Sequence, residues 1–178
     1  VLAVDIFKAA PNSFDGYIAP GGTEANIQAI WMYRNYFMNK QNANLSEIAI
    51  IASEDTHYSI PKAANVLLLD WLKIPVDFET RSIDLLVLEN IIINAKKQGK
   101  KYFIVVSNMG TTMFGAIDNP SDYIDILEKH DLKYKLHVDA AYGGFVYPFS
   151  NKASEITGSR LPKMFQIAQG QAAMPRLR

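Results

Sequence analysis

Residues 102–112 read Tyr-Phe-Ile-Val-Val-Ser-Asn-Met-Gly-Thr-Thr. A short, unbroken run of apolar and β-branched residues, 102–107, stops at a polar, glycine-containing stretch. A strand half-exposed to water alternates apolar and polar residues. A run without alternation marks a strand covered on both faces, the situation of strands in parallel sheets packed between helices. The same pattern appears on either side. Residues 48–52 and 135–139 read as two more buried strands, and 74–78 as a weaker one because Pro75 lacks a donor.

Helical stretches separate these runs. Ile27, Ile30, Trp31, Arg34 and Met38 fall at helical spacing, so the sequence predicts a helix over 23–38. It follows a short extended piece, 16–19, and the turn Pro20-Gly21-Gly22. A second helix starts near Ser59-Ile60-Pro61, with Ser59 as N-cap and Pro61 in the first turn, and runs to about Leu69. Ser82 caps a third through Lys97, stopped by Gly99. Pro120 opens a fourth, with Asp118 or Asn119 near its cap, ending about His130. Strands alternating with helices predict an α/β fold with a mostly parallel sheet. From Ser150 onward the pattern degrades. No clean strand is expected there, and 163–171 reads as a short helix or a loose tail.

Composition bounds the function. The 178 residues are 49% apolar and 20% charged, a globular balance. Lys plus Arg and Asp plus Glu both total 18. That balance leaves no overall electrostatic footprint for nucleic acid or an anionic membrane. With no cysteine there is no disulfide framework, thiolate metal site or cysteine nucleophile. This fits a reducing compartment, and a cytoplasmic location is expected. No apolar run reaches the roughly 18 residues that suggest a membrane span. The amino end lacks the basic leader of a signal peptide. A first residue of valine, partway into a pattern, suggests a piece of a longer chain.

Four places carry chemistry. Pro20-Gly21-Gly22-Thr23-Glu24-Ala25-Asn26 leads into a helix, where glycines allow close approach and free N–H groups face an anion. It is neither a Walker A loop nor GxGxxG. The plain alternative is a turn with Thr23 as helix cap. His57 lies just past a strand's carboxyl end, where open α/β sheets put ligands. It is suited to stacking on a flat ring or moving a proton, or it is a surface histidine. Asn108 to Thr112 follows another strand and offers hydroxyls and a glycine to a ligand, or forms an ordinary turn. Asp139 ends an apolar strand and precedes small residues that clear room for a flat ring. Such a carboxylate either keeps a pyridine-type nitrogen protonated or accepts from backbone donors. A metal is disfavoured: His137 shares its strand face, but one histidine is too few ligands. His130, at a helix carboxyl end, reads as structural.

Taken in order, GGTEAN (21–26), SEDTHYSIPKAA (53–64), FIVVSNMGTTMFGAID (103–118) and HVDAAYGG (137–144) resemble the group II pyridoxal-phosphate-dependent amino acid decarboxylases. The resemblance spans residues 15–150. It implies the fold-type-I, aspartate-aminotransferase-like large domain, here partial over 1–150, with 151–178 an atypical tail. It implies a carboxy-lyase acting on an L-amino acid with pyridoxal 5'-phosphate, working as a homodimer or larger assembly. By matched position, Gly22 and Thr23 would bind the cofactor phosphate. His57 would stack on the ring and assist proton transfer, and Thr111 would lie near the phenolic oxygen. Asp139 would pair with the ring nitrogen, and Ala141 would pack on the face opposite His57. One departure stands out. The family's Schiff-base lysine follows a histidine, and no His-Lys pair occurs in this sequence. The matching distance past Asp139 falls near Gln169 and Gly170. Lys163, preceded by Pro162, is the nearest candidate, and Lys152 is too close to the strand. The alternative is therefore a truncated domain of the same fold that does not turn over substrate.

Overall fold

The computed structural model describes residues 10, 12 and 14–145, together with the backbone of 165–168. Its centre is a five-stranded sheet whose paired neighbours all run parallel. In chain order the elements are α1 (Gly22–Gln41), β1 (Ile48–Ser53), α2 (Ser59–Leu67), β2 (Asp70–Ile74), α3 (Leu85–Lys97), β3 (Tyr102–Asn108), α4 (Pro120–Lys129), β4 (Lys133–Asp139) and β5 (Phe165–Ala168). Across the sheet the order is β2-β1-β3-β4-β5.

Every residue of β1 and β3 is buried, which is what unbroken apolar runs require. Successive side chains point to opposite faces, and two cores result. Ala49, Ile51, Phe103, Val105, Leu136 and Val138 pack under α3 and α4. Ile48, Ile50, Ala52, Ile104 and Val106 pack under α1 and α2. β1 is thus joined to β2 by a helix on one face, and β2 to β3 by a helix on the other. The chain reverses its direction of travel across the sheet between β1 and β3. At such a switch point the loops leaving the two strands part to opposite faces and open a crevice at the strands' carboxyl ends.

Four local readings of the sequence are corrected. The second strand is Asp70–Ile74, not 74–78. It ends where Pro75 would fail to donate, and its exposed Asp70 and Lys73 hide its strand character. The cap of α3 is Asp84, whose side chain accepts from the N–H groups of Leu86 and Val87. Ser82 is too early because Ile83 still bridges to Val76 in extended form. Ser59 is the first residue of α2 and does not cap it; Tyr58 holds the cap position without a side-chain bond. Lastly, Phe165–Ala168 is a strand on the free edge of β4, where a helix or tail is expected. The rest of 163–171, including Lys163, lies outside the described residues, as does Lys152.

Candidate functional site

At the carboxyl ends of β1, β3 and β4 lies a cavity of about 360 Å³. Gly22 and Thr23 enter from the start of α1, His57 and Tyr58 from the loop after β1, Asn108 and Thr111 from the end of β3, and Asp139 and Ala141 from β4. All six residues singled out in the sequence therefore share one cavity, although up to 119 positions separate them in the chain (22 to 141).

The amino end of α1 opens here. Gly21 occupies the cap position and no side chain caps the helix. Thr23 is not a cap; its hydroxyl lies 3.4 Å from the Tyr58 hydroxyl and donates to it. The free N–H groups of the first turn and the helix dipole favour an anion at this spot. Gly22 sits so near Ala141 that a β-carbon on it would lie 3.4 Å from the alanine's, so a larger residue would crowd the cradle.

Across the cavity, Asp139 is 7% exposed. Its Oδ2 accepts from Asn26 Nδ2 at 2.8 Å and its Oδ1 from the Ala141 N–H at 3.2 Å. Among the described residues no lysine or arginine forms a salt bridge with it. A buried carboxylate without a cation is costly, and a protonated ring nitrogen in the cavity would offset that cost. His57 is half-buried, with Nδ1 2.8 Å from Ser59 Oγ and its ring 4.2 Å from that of Tyr58. Thr111 is buried. Its Oγ1 accepts from the Ala116 N–H at 3.1 Å, which leaves its hydroxyl proton to donate.

Asn108 holds the site's floor. Its N–H and its Nδ2 both donate to Asp118 Oδ2, at 2.8 and 2.7 Å; Nδ2 also reaches Ser53 Oγ, and its Oδ1 accepts from Thr56. Burial pushes the Asp118 carboxyl up to about 6, against the lowering pull of the Asn108 donors. Sequence reading missed Asn26 and Ser59 as site residues. Asn26 carries a usable signal: with Ile30, Tyr33 and Phe37 it lies on the buried stripe of α1, the one amide among apolar side chains at that spacing. Ser59 had none, since a serine opening a helix reads as a cap.

Residues 4–164 match the model of the pyridoxal-dependent decarboxylase conserved domain. The chain belongs to this family. Its cofactor is pyridoxal phosphate, and the cavity's lining fits that group: an uncapped helix end for phosphate, a buried carboxylate that meets no cation among the described residues, and a half-buried imidazole beside them. The chain is 55% identical over 152 residues to a tryptophan decarboxylase of Clostridium sporogenes, covering 85% of this chain and 36% of that protein. It is 35% identical over 149 residues to a histidine decarboxylase of Vibrio anguillarum, covering 81% and 35%. Among solved structures, the glutamate decarboxylase domain of a diaminobutyrate-pyruvate transaminase and L-2,4-diaminobutyrate decarboxylase from Vibrio parahaemolyticus superposes with a TM-score of 0.67 at 27% identity, covering 79% of this chain and 32% of that one. The fold is therefore the fold-type-I large domain expected from the sequence. The chain spans about a third of the length of the curated relatives it matches.

Proposed function

We propose that this chain forms the cofactor-binding part of a pyridoxal-phosphate-dependent L-amino acid decarboxylase, a carboxy-lyase. The observation that carries the reading is the buried Asp139 carboxylate facing a cavity whose other side is an uncapped helix end. Gly22 and Thr23 bind phosphate through main-chain N–H groups and a hydroxyl. Asp139 holds the ring nitrogen protonated, Ala141 and His57 bracket the ring, and Thr111 donates to its phenolic oxygen. When bound, the protonated ring supplies an electron sink for the charge left as carbon dioxide departs. The protein's part is to orient the amino acid, exclude water and hold protons at fixed atoms.

The substrate we assign first is L-tryptophan, on the 55% identity to a tryptophan decarboxylase. Residues 1–150 are read as the cofactor-binding unit, in the cytoplasm, working as a dimer. Among the described residues no helix is long and apolar enough to cross a membrane. A second reading, a domain that holds the cofactor without turnover, is favoured by one fact: no lysine is among the described residues lining the cavity. One experiment separates them. The full chain is supplied with pyridoxal phosphate and L-tryptophan, and carbon dioxide and tryptamine are assayed. Stoichiometric release of both supports decarboxylation. Retention of cofactor with no product supports the second reading, and failure of both removes the proposal.

A further inference from the structure

Asp139 and His57 do not touch, yet one chain of hydrogen bonds joins them. Asn26 Nδ2 lies 2.8 Å from Asp139 Oδ2 and 2.8 Å from Ser59 Oγ. Ser59 Oγ lies 2.8 Å from His57 Nδ1, and the Ser59 N–H points to the same nitrogen at 3.3 Å. On its other side Asn26 Oδ1 lies 2.8 Å from His137 Nε2. Asn26 and His137 are 1% and 0% exposed, so water does not compete for these groups.

The direction of every bond follows from one end. An ionised carboxylate only accepts, so the Asn26 nitrogen, not its oxygen, must face Asp139. The amide oxygen then faces His137, which must donate from Nε2. Both amide hydrogens of Asn26 are spent, one on Asp139 and one on Ser59. Ser59 Oγ therefore accepts from Asn26 and turns its own proton to His57 Nδ1. Two donors, the Ser59 hydroxyl and its N–H, converge on Nδ1, which must carry the lone pair.

We propose that Asn26 and Ser59 are positioning residues that transmit the ionised state of Asp139 to His57, fixing His57 as the tautomer with its proton on Nε2, the nitrogen left to the cavity. His57 then offers the cavity a donor and not an acceptor. The relay is a property of this chain's own hydrogen bonds; its service to a bound ring rests on the reading above. In that reading, the residue that holds the ring nitrogen's proton and the residue that delivers one from the ring's face are set by a single network.

The test is long-range proton–nitrogen NMR on the full chain, labelled with nitrogen-15 at histidine and without cofactor, at a pH of about 8.5 where ordinary imidazoles are neutral. His→Gln variants assign the three rings. A hydrogen bond of ordinary strength biases a tautomer pair by about tenfold, so wild-type His57 should show Nε2–H in at least that excess. Ser59→Ala, which leaves only the longer backbone N–H bond on Nδ1, should cut that excess several-fold without abolishing it, and Ser59→Thr, which keeps the hydroxyl, should read as wild type. Asn26→Leu, which never touches His57, should also lower the excess by freeing the Ser59 hydroxyl to turn away; if that variant melts early, the Ser59 pair still decides. A proton on Nδ1 in the wild type, or a His57 signal unmoved by Ser59→Ala, would overturn the relay. Pyridoxamine phosphate titrations of the same samples report on the cofactor reading separately. Binding with no fixed tautomer would sink the relay alone, and a fixed tautomer without binding would sink the cofactor reading alone.

Discussion

Asp118 illustrates how the floor of the site is held at a cost. Its carboxyl is 9% exposed and raised from 3.8 to about 6 by burial. The folded protein therefore binds a proton more tightly than the unfolded chain. The stability that the neutral form provides is fully present below about pH 4 and is lost as the pH rises through about 6. At about 1.4 kcal/mol per unit the loss is about 3 kcal/mol. Asp118→Asn keeps an acceptor oxygen for both Asn108 donors and carries no charge. Urea melts at pH 4 and pH 7.5 should show wild type losing stability between the two on this account, while Asp118→Asn loses about 3 kcal/mol less. Identical slopes for the two proteins would contradict the burial of a charge at this position. Asp139 is equally buried but faces the cavity, so its charge can be met by a ligand, whereas that of Asp118 is met among the described residues by the Asn108 amides.

The turn after β4 is where element geometry is tightest. Gly143 donates its N–H to the Met109 carbonyl at 2.9 Å, and a β-carbon added there would sit 2.1 Å from that same oxygen. Backbone blocks it, so Gly143→Ala must push the β4 turn away from β3 and with it Ala141 and Tyr142. Gly21, at the start of α1, has nothing within 4 Å of such an atom. Gly143→Ala is expected to cost at least about 2 kcal/mol in thermal melts, and Gly21→Ala, which meets no atom but puts a poorer residue at the cap of α1, about 0.5–1 kcal/mol. The elements that were legible in the sequence are those whose signal is local. β1 and β3 are bare apolar runs; α4 has Pro120 in its first turn and Asn119 capping it. β2 and β5 were not. One is an edge strand with charged residues on its exposed positions, and the other is four residues long with a glutamine inside. The site residues named in the sequence all reached one cavity because strand ends converge in a parallel sheet. Asn26 and Ser59 escaped because only the packing of α1 against α2 brings positions 33 apart into hydrogen-bond contact.

At the scale of the molecule, the described surface carries several large apolar side chains. Phe78, Met113, Phe114, Ile117 and Tyr142 are between 51% and 86% exposed. Arg81 pairs with Asp55 and lies over the Phe114 ring at 4.1 Å. Large apolar side chains left to water favour association, and the proposed dimer should bury them. Light scattering of the full chain at high micromolar concentration is expected to give at least twice the chain's 19.9 kDa, and Phe114→Lys to shift it toward that value. A wild-type monomer under those conditions would count against the dimer.

In the proposed function, Asp139 and the amino end of α1 hold the two ends of one pyridoxal-type ring. Calorimetric titration of pyridoxamine phosphate tests it most directly, because that compound carries the ring nitrogen and the phosphate but no aldehyde to react with surface lysines. Wild type is expected to bind one equivalent. Asp139→Asn, which keeps an acceptor for Asn26 and should melt within about 1 kcal/mol of wild type, is expected to bind about a hundredfold more weakly through loss of about 3 kcal/mol of buried ion pairing. Equal affinity for the two proteins, or no binding by folded wild type, would contradict the account.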